Sequence, residues 1–427
     1  MEPRILERAQ HCISRRAIDS RVLSVMYRLI GDGHTAYLVG GSVRDLLMGR
    51  KPKDFDVATS AHPAQVRRLF RNSRLIGRRF PLVHVFFGRD NIEVSTFRRH
   101  DEALAGTQDP LIQRDNCYGT PQDDAFRRDF TVNALFYDPR TGRVLDYAGG
   151  LEDLRGRQIR AIGVPELRMR EDPPRMLRAV RFAAKLGFVL EAATRAAVER
   201  WRADLLRAAP ARLALEIHRA LAIAAAPQAF AMMRELGLME VALPLLDAYL
   251  AGLADSAADG DATARNLAAL GLAIAQGLEA TPGFALACLF ADFYLRQEGR
   301  AERWQEAAAM LRSRGVSRAS VDEAGRLLQM LLQMLTRPER LPALARRRHF
   351  AAGLRLYRLL VLNYAAVAAG SGERGALGIF SGDGARRRRR RWRRGRKRVA
   401  RRRALQEPAQ PEAFAEGASQ GAVWEKG

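Results

Sequence analysis

The chain has 427 residues, of which 48% are apolar and 28% charged. That is enough to bury one large or about two to three ordinary cores, and it excludes wholesale disorder and a minimal disulfide-stapled domain. Lys and Arg number 71 against 47 Asp and Glu, a formal charge of +24; the excess points to a polyanionic partner, nucleic acid or an anionic membrane surface, and says nothing about fold.

Three cysteines, Cys12, Cys117 and Cys288, lie far apart. No two have metal-ligand spacing and the number is odd, so a reducing compartment is expected. The start, MEPRILERAQHCISRR, carries no apolar core of a secretory signal. No stretch reaches the roughly 18–20 uninterrupted apolar residues of a spanning helix. These features predict a cytoplasmic, soluble protein with no membrane partner.

Up to about residue 140 the chain carries β-branched and aromatic runs at 37–39, 55–57, 83–87 and 92–97. The last alternates with period two, as a half-buried strand does. Helical stretches lie between, and Pro63 sits where a first helical turn tolerates proline. This part predicts an α/β or α+β domain.

In LVGGSVRDLLMGRKPKDFDVAT, residues 38–59, a strand runs into Gly40-Gly41 and a helix starts at about Ser42. Glycines at such a turn let the backbone approach a ligand, and a helix N-terminus favours phosphate. Arg44, one turn in, adds a fixed positive charge. A plain tight turn fits the glycine pair equally.

Asp54-Phe55-Asp56 follows. On a strand, residues two apart point to one side, and two adjacent carboxylates repel until a divalent cation such as Mg²⁺ intervenes. Alone, the pair also fits a solvated strand end. Glu93, on the strand at 92–97, faces away from Ile92 and Val94, and a neighbouring strand can bring it beside the pair as a third carboxylate; an exposed strand glutamate is the alternative.

RRDFTVNALF, residues 127–136, has Phe130 and Ala134 four apart, as on a helix burying one face. Asp129 and Asn133 are also four apart, with Arg128 near them. Arg, Asp and Asn together can grip a ribose and phosphate, although a charged helix start also fits. From about 150 the texture becomes Ala, Leu and Arg at helical spacing. RMLRAVRFAAKLG and RLALEIHRALAIAA read as amphipathic helices, and an all-helical second half is expected, with breaks near Pro210, Pro244 and a small loop at 251–263. In EDPPRMLRAVRFAAKLGF, residues 171–188, Asp172 is the expected N-cap and Pro173 the first helical residue. Met176, Leu177, Val180 and Ala184 mark the buried stripe. Arg175 and Arg178 lie three apart on another face, where guanidinium forks suit the acceptor edge of a base; surface arginines are the plain alternative.

Residues 386–403, RRRRRRWRRGRKRVARRR, hold 14 basic residues among 18 and no acid; removing those charges takes the net charge from +24 to +10. Charge this dense cannot pack on itself, so a disordered tail is expected.

Taken in order, GG-x-VRD, D-x-D, RRDFTVNAL, the GGLEDL…IR stretch at 149–160 and EDPPRMLR resemble the class II nucleotidyltransferase family, which holds the bacterial poly(A) polymerases and the tRNA CCA-adding enzymes. The match is dense over about residues 12–220. The resemblance implies an α+β chain: a polymerase-β-like head of mixed sheet with helices (21–148, after an N-terminal segment 1–20), then all-helical neck (149–225) and body (226–370) regions that bind nucleotide and RNA, and the Arg-rich tail (371–427). It implies Asp54 and Asp56 as ligands of two catalytic Mg²⁺ ions. Gly40, Gly41 and Arg44 would hold the triphosphate of ATP. Arg128 and Asp129 fall in the nucleotide-binding motif, with Asp129 an essential carboxylate. Asp172, Arg175 and Arg178 match the element that reads the incoming base. The implied reaction is in-line attack of an RNA 3′-hydroxyl on the α-phosphate of a nucleotide, with release of pyrophosphate. Ser42 stands where many relatives have a third glycine.

The two activities share these motifs. RLIGRRFPLVHV at 74–85, HCISRRAID and KPKDFDV look like the poly(A) polymerase subgroup, so polyadenylation of RNA 3′ ends in RNA processing and turnover is the leading expectation. CCA addition to tRNA is the alternative, and a catalytically silent RNA-binding protein a third. RNA 3′ ends and ATP are the expected partners, with RNA-degradation machinery a further candidate. No His-Asp metal site is evident among the seven histidines.

Overall fold

The computed structural model describes residues 2–77, 81–99, 117–254 and 262–362. The expected tail at 386–403 lies outside the described residues, as do Arg78, Arg79 and Phe80 of the subgroup segment and part of the loop expected at 251–263.

The first part is built on a sheet of eight strands: β1 (Arg4–Leu6), β2 (Ala36–Val39), β3 (Asp56–Thr59), β4 (Ser73–Ile76), β5 (Leu82–Phe87), β6 (Asp90–Thr96), and, after a two-stranded hairpin of β7 (Arg98–Arg99) and β8 (Cys117–Tyr118), β9 (Leu135–Tyr137) and β10 (Val144–Asp146). Their order is β1-β10-β9-β2-β3-β6-β5-β4. Every pair is antiparallel except β3–β6, which is parallel. Parallel neighbours require a crossover, and here the connection runs through a helix and the β4–β5 strands. The segment before residue 20 is part of this sheet, because β1 pairs with β10.

The head helices are α1 (Ser20–Gly31), α2 (Gly41–Leu47), α3 (Pro63–Leu69), α4 (Pro121–Arg127) and α5 (Gly150–Gly156). Asp19 caps α1, its carboxylate accepting from the Arg21 N–H at 2.8 Å. Val25, Met26 and Leu29 of α1 are fully buried against one sheet face with Leu38, Val57 and Val94. Each such side chain contributes about 1.5–3 kcal/mol by leaving water. The other face carries Val39, Ala58, Phe97 and Phe136. The alternation Leu38/Val39 and Val57/Ala58 between faces is the period-two pleat of a sheet covered on both sides. At the end of β10, the Asp146 carboxylate accepts the N–H groups of Ala148, Gly150 and Leu151 and so starts α5. Gly150 must be glycine, since a Cβ there would run into the Thr131 carbonyl.

The second part is helical: α6 (Pro165–Glu171), α7 (Arg175–Leu186), α8 (Ala192–Trp201), α9 (Pro210–Leu221), α10 (Ala226–Glu235), α11 (Leu238–Ala242), α12 (Pro244–Ala254), α13 (Ala262–Ala275), α14 (Pro282–Arg296), α15 (Arg300–Ser313), α16 (Arg318–Thr336), α17 (Leu341–Leu344) and α18 (Phe350–Tyr357). Pro210 and Pro244 each open a helix, as expected. One correction is needed: the half is not wholly helical. Two short parallel strands, β11 (Gln158–Ile159) and β12 (Val189–Leu190), pair beside α7, because β-branched Ile159 and Val189 flank turns that no helix spans. A single buried core runs from Phe130 through Val180, Ile217 and Phe290 to Leu360, so no break in packing separates residues before and after 225. Among the described residues no helix is long and apolar enough to cross a membrane.

Candidate active site

The sheet register assembles one end of the site. Val39 pairs with Asp56, and Asp56 pairs with Glu93, so all three residues stand on the face that carries Ala58 and Phe136. Gly40 follows Val39 directly, which puts the Gly40-Gly41 turn beside Asp56. Gly40 has φ +74 and ψ −138, a conformation suited to glycine, and a Cβ would lie 3.0 Å from the Arg128 guanidinium. The helix starts at Gly41, close to the expected Ser42. Ser42 is buried, and its hydroxyl donates to the Val39 carbonyl at 2.9 Å, tying the helix start back to its strand.

Asp54 and Asp56 are both exposed. Asp54 lies outside β3, which begins at Asp56, so the two carboxylates are not strand neighbours as the sequence suggests. Pro52 and the turn before Asp54 leave the backbone short of the ladder. Asp56 keeps solvent access, yet enough protein surrounds it that its carboxyl is pushed up to about 6: desolvation comes first, then repulsion from Glu93, with Arg128 pulling the other way and Asp54 adding to the rise. Glu93 in turn is 3.7 Å from His84 Nε2 on the next strand.

The stretch 127–136 is not the helix its spacing suggests. α4 ends at Arg127, Phe130 forms an isolated bridge to Ala161, residues 131–133 make a single 3-10 turn, and β9 begins at Leu135. Asp129 breaks the helix by accepting the Phe130 N–H on its own side chain at 2.8 Å, the local competition that disfavours Asp in helix interiors. The groups expected to share a face still meet. Asn133 Nδ2 donates to Asp129 Oδ1 at 3.0 Å, and Asn133 Oδ1 accepts from Arg44 Nη1 at 2.5 Å. Arg44 is 2% exposed, is also held by the Asp45 carboxylate at 2.7 and 2.8 Å, and lies over the Phe182 ring. Its charge is therefore committed inside the protein. Arg128 pairs with Asp124 at 2.9 Å, donates to the Asn133 carbonyl and stacks over Phe136.

Asp172 is not an N-cap. It ends α6, Pro173 and Pro174 form the turn, and Pro174 takes the cap position of α7. Two prolines in succession supply no N–H and fix φ, which delays the helix by two residues. The freed Asp172 carboxylate accepts Arg178 Nη2 at 3.2 Å and pairs with Arg212 Nη1 of α9 at 2.7 Å. Arg178 Nη1 meets Asp129 Oδ2 at 3.2 Å. One guanidinium thus joins the 127–136 motif to the start of α7. Burial would raise the carboxyls of Asp129 and Asp172, but Arg178 and further partners hold both below the usual range. Arg175 does not share this position. It is 6% exposed and donates to the Arg168 carbonyl and to Glu171. Arg168, also buried, donates to the carbonyls of Arg127 and Arg128 at 2.9 and 2.7 Å. Sequence reasoning passed over Asp124, Asp45, Arg168, Arg212 and Glu216. Only Asp124 left a signal, its four-residue spacing to Arg128.

Asp54, Asp56 and Glu93 are hard oxygen donors whose mutual repulsion a divalent cation would relieve. Among the described residues, no three His, Cys, Asp or Glu side chains are gathered as a metal-holding group. Mg²⁺ commonly takes one or two carboxylates and completes its shell with water and substrate phosphates, so the donor set fits that mode.

The chain is similar to known proteins over its head and the helices that follow. Residues 36–160 match the family described as the poly A polymerase head domain, and residues 187–250 match a probable RNA and SrmB-binding site of polymerase A. The chain is 47% identical over 260 residues to poly(A) polymerase I of Salmonella typhi, covering 59% of this chain and 56% of that protein. It is 38% identical over 229 residues to the CCA-adding enzyme of Bacillus velezensis, covering 54% and 57%. The chain thus spans just over half the length of the curated relatives it matches. The solved CCA-adding enzyme of Bacillus stearothermophilus in complex with CTP superposes with a TM-score of 0.56 at 30% identity, covering 82% of this chain and 78% of that one. With a shared head fold, shared motifs and a related solved structure covered over most of its length, this chain belongs to the nucleotidyltransferase family of bacterial poly(A) polymerases and tRNA CCA-adding enzymes.

Proposed function

We propose that this protein polyadenylates RNA 3′ ends without a template, transferring AMP from ATP and releasing pyrophosphate. The observation that carries the reading is the register Val39–Asp56–Glu93, which sets a glycine turn beside a carboxylate cluster on one sheet face. The Gly40-Gly41 turn, with no side chain of its own, would let a triphosphate come close to the backbone. Arg128, at the edge of the cluster, offers positive charge toward it. Asp54 and Asp56, with Glu93 alongside, would hold Mg²⁺, which when bound supplies charge neutralisation for the phosphates and lowers the pKa of the attacking hydroxyl. Asp129 fixes Arg178 and Asn133, and Asp172 and Arg178 present an acceptor and a donor to the edge of a base. Arg44 acts behind the site by holding Asn133, and Arg175 by holding the α6–α7 turn. The similarity to enzymes named poly(A) polymerase I supports ATP over other nucleotides. The basic run at 386–403 is read as a sequence-tolerant RNA contact, and the cytoplasm as the site of action.

CCA addition is the second reading, favoured by the superposition on a CCA-adding enzyme bound to CTP. Incubating purified protein with Mg²⁺, a generic RNA and each labelled nucleotide separately decides between them. Long tails from ATP alone support polyadenylation. CTP incorporation confined to tRNA ends overturns it.

A further inference from the structure

Helix α9 carries a charged residue on its buried face. Leu213, Ile217 and Ala220 of α9 belong to the helical core, and Glu216 among them is 3% exposed. A carboxylate withdrawn from water is costly unless paired. Glu216 is surrounded by three arginines: Arg219 Nη1 at 3.0 Å, Arg181 Nε at 3.2 Å and Arg178 Nε at 3.6 Å. Arg219 and Arg181 neutralise its charge without touching the candidate site. Arg178 is different. Its two terminal nitrogens go to Asp129 and Asp172, and its third, Nε, faces Glu216. A guanidinium is planar, so acids on three sides fix its rotation as well as its place. The same helix holds the neighbouring acid too, through Arg212 to Asp172 at 2.7 Å. Both groups proposed to meet the base are therefore gripped from α9, a helix inside the stretch matched to an RNA-binding region.

We propose that Glu216 is a positioning residue for nucleotide binding: facing Arg178 Nε from the buried side of α9, it sets the plane of the guanidinium that meets the incoming base. This rests on the reading of Arg178 as a nucleotide contact. A carboxylate that served only to neutralise Arg181 and Arg219 would affect folding and leave ATP affinity unchanged.

The test uses the full chain with Glu216→Gln, Glu216→Asp, Arg178→Ala and the Glu216→Gln/Arg178→Ala double variant. ATP binding with Mg²⁺ is measured without RNA, and KM for ATP and kcat are measured on a generic RNA. Glu216→Gln should weaken ATP in both Kd and KM by about tenfold, the order of one charge-assisted contact, with kcat within about twofold. Glu216→Asp should recover part of the affinity. The double variant should bind no more weakly than Arg178→Ala, since the effect passes through that residue. Unchanged ATP affinity in folded Glu216→Gln, or fully additive losses, overturns the inference. Should Glu216→Gln fail to fold, Glu216→Asp decides it by the same comparison. Wild-type protein that binds ATP but transfers no AMP overturns the polyadenylation reading alone, and the Kd ratio still judges Glu216. Wild-type protein that binds no ATP overturns both.

Discussion

Asp56 and Glu93 stand opposite one another across the only parallel pair in the eight-stranded sheet. They share one sheet face, and repulsion from Glu93, after desolvation, helps push the Asp56 carboxyl up to about 6.

Asp54→Ala and Asp56→Ala should each lower nucleotide transfer by on the order of a thousandfold, the scale of losing a metal's charge stabilisation. Both side chains are exposed and the raised Asp56 carboxyl means that its charge opposes folding at pH 7, so neither substitution should destabilise the fold and Asp56→Ala should stabilise it. Glu93→Gln should have the smaller effect on turnover. Near-normal turnover of either Asp variant in saturating Mg²⁺ would remove these residues from the site.

Arg178→Met should weaken the fold in a pH-dependent way. Asp129 and Asp172 have depressed folded-state pKa values, with Arg178 the leading cation for each. Groups depressed in this sense stabilise the protein above the ordinary carboxylate range, and the contribution is lost as pH falls through the folded values. The variant should lose about 3 kcal/mol at pH 7, and its deficit should shrink as the pH drops below that range. Denaturant titrations from pH 7 to pH 3 measure the difference; a deficit independent of pH would mean Arg178 acts by packing alone.

Arg175→Ala and Arg178→Ala should separate. Arg178 meets two acids at the site, so Arg178→Ala should raise KM for ATP in addition to its cost in stability, whereas Arg175→Ala should leave KM unchanged. Arg175 is buried against the Arg168 carbonyl and Glu171, so its removal should cost about 2 kcal/mol of stability through unpaired buried groups. Melting curves beside ATP titrations check this pair. Equal loss of ATP affinity with no change in melting would put Arg175 in contact with nucleotide.

Gly40→Ala should cost about 1–3 kcal/mol, because its φ of +74 with ψ −138 is strained for any residue with a Cβ. The added methyl also presses on Arg128, so ATP affinity should fall alongside the melting temperature. Wild-type behaviour on both counts would show that the turn relaxes.

Truncation after Gly384 should flatten the salt dependence of RNA binding. About five arginines engaged at once correspond to a log–log slope of roughly −3 to −4 from single-stranded RNA. Products made at low RNA concentration should shorten, while turnover at saturating RNA should change little. An unchanged slope would remove the basic run from the RNA contact.

The local elements of the head were legible in the sequence. Period-two alternation at 92–97, the glycine pair after a strand and Pro63 at a helix start depend on neighbouring residues only, and each appears where its pattern placed it. The direction in which Glu93 points followed from the same alternation. Three local readings failed where two signals competed. At 127–136 a helical spacing of apolar residues lost to the Asp129 side chain bonding its own backbone. At 172–174 a good capping residue lost to two prolines. At Asp54 a strand reading ran past the point where pairing begins.

What the sequence by itself determined was the inventory: mixed sheet then helices, a carboxylate pair, a glycine turn, and arginines in two motifs. Only the tertiary structure decided which of these are neighbours. The partner of Asp56 depends on β3 choosing β6, across more than thirty residues of intervening chain, and no local pattern encodes that choice. Arg44 and Arg178 look alike as exposed, ligand-seeking charges in the sequence. Folding buries one behind Asn133 and sets the other among three acids from 129, 172 and 216. The physical reason is that a charge's role is fixed by the charges and the solvent around it, and those come from segments far apart in the chain.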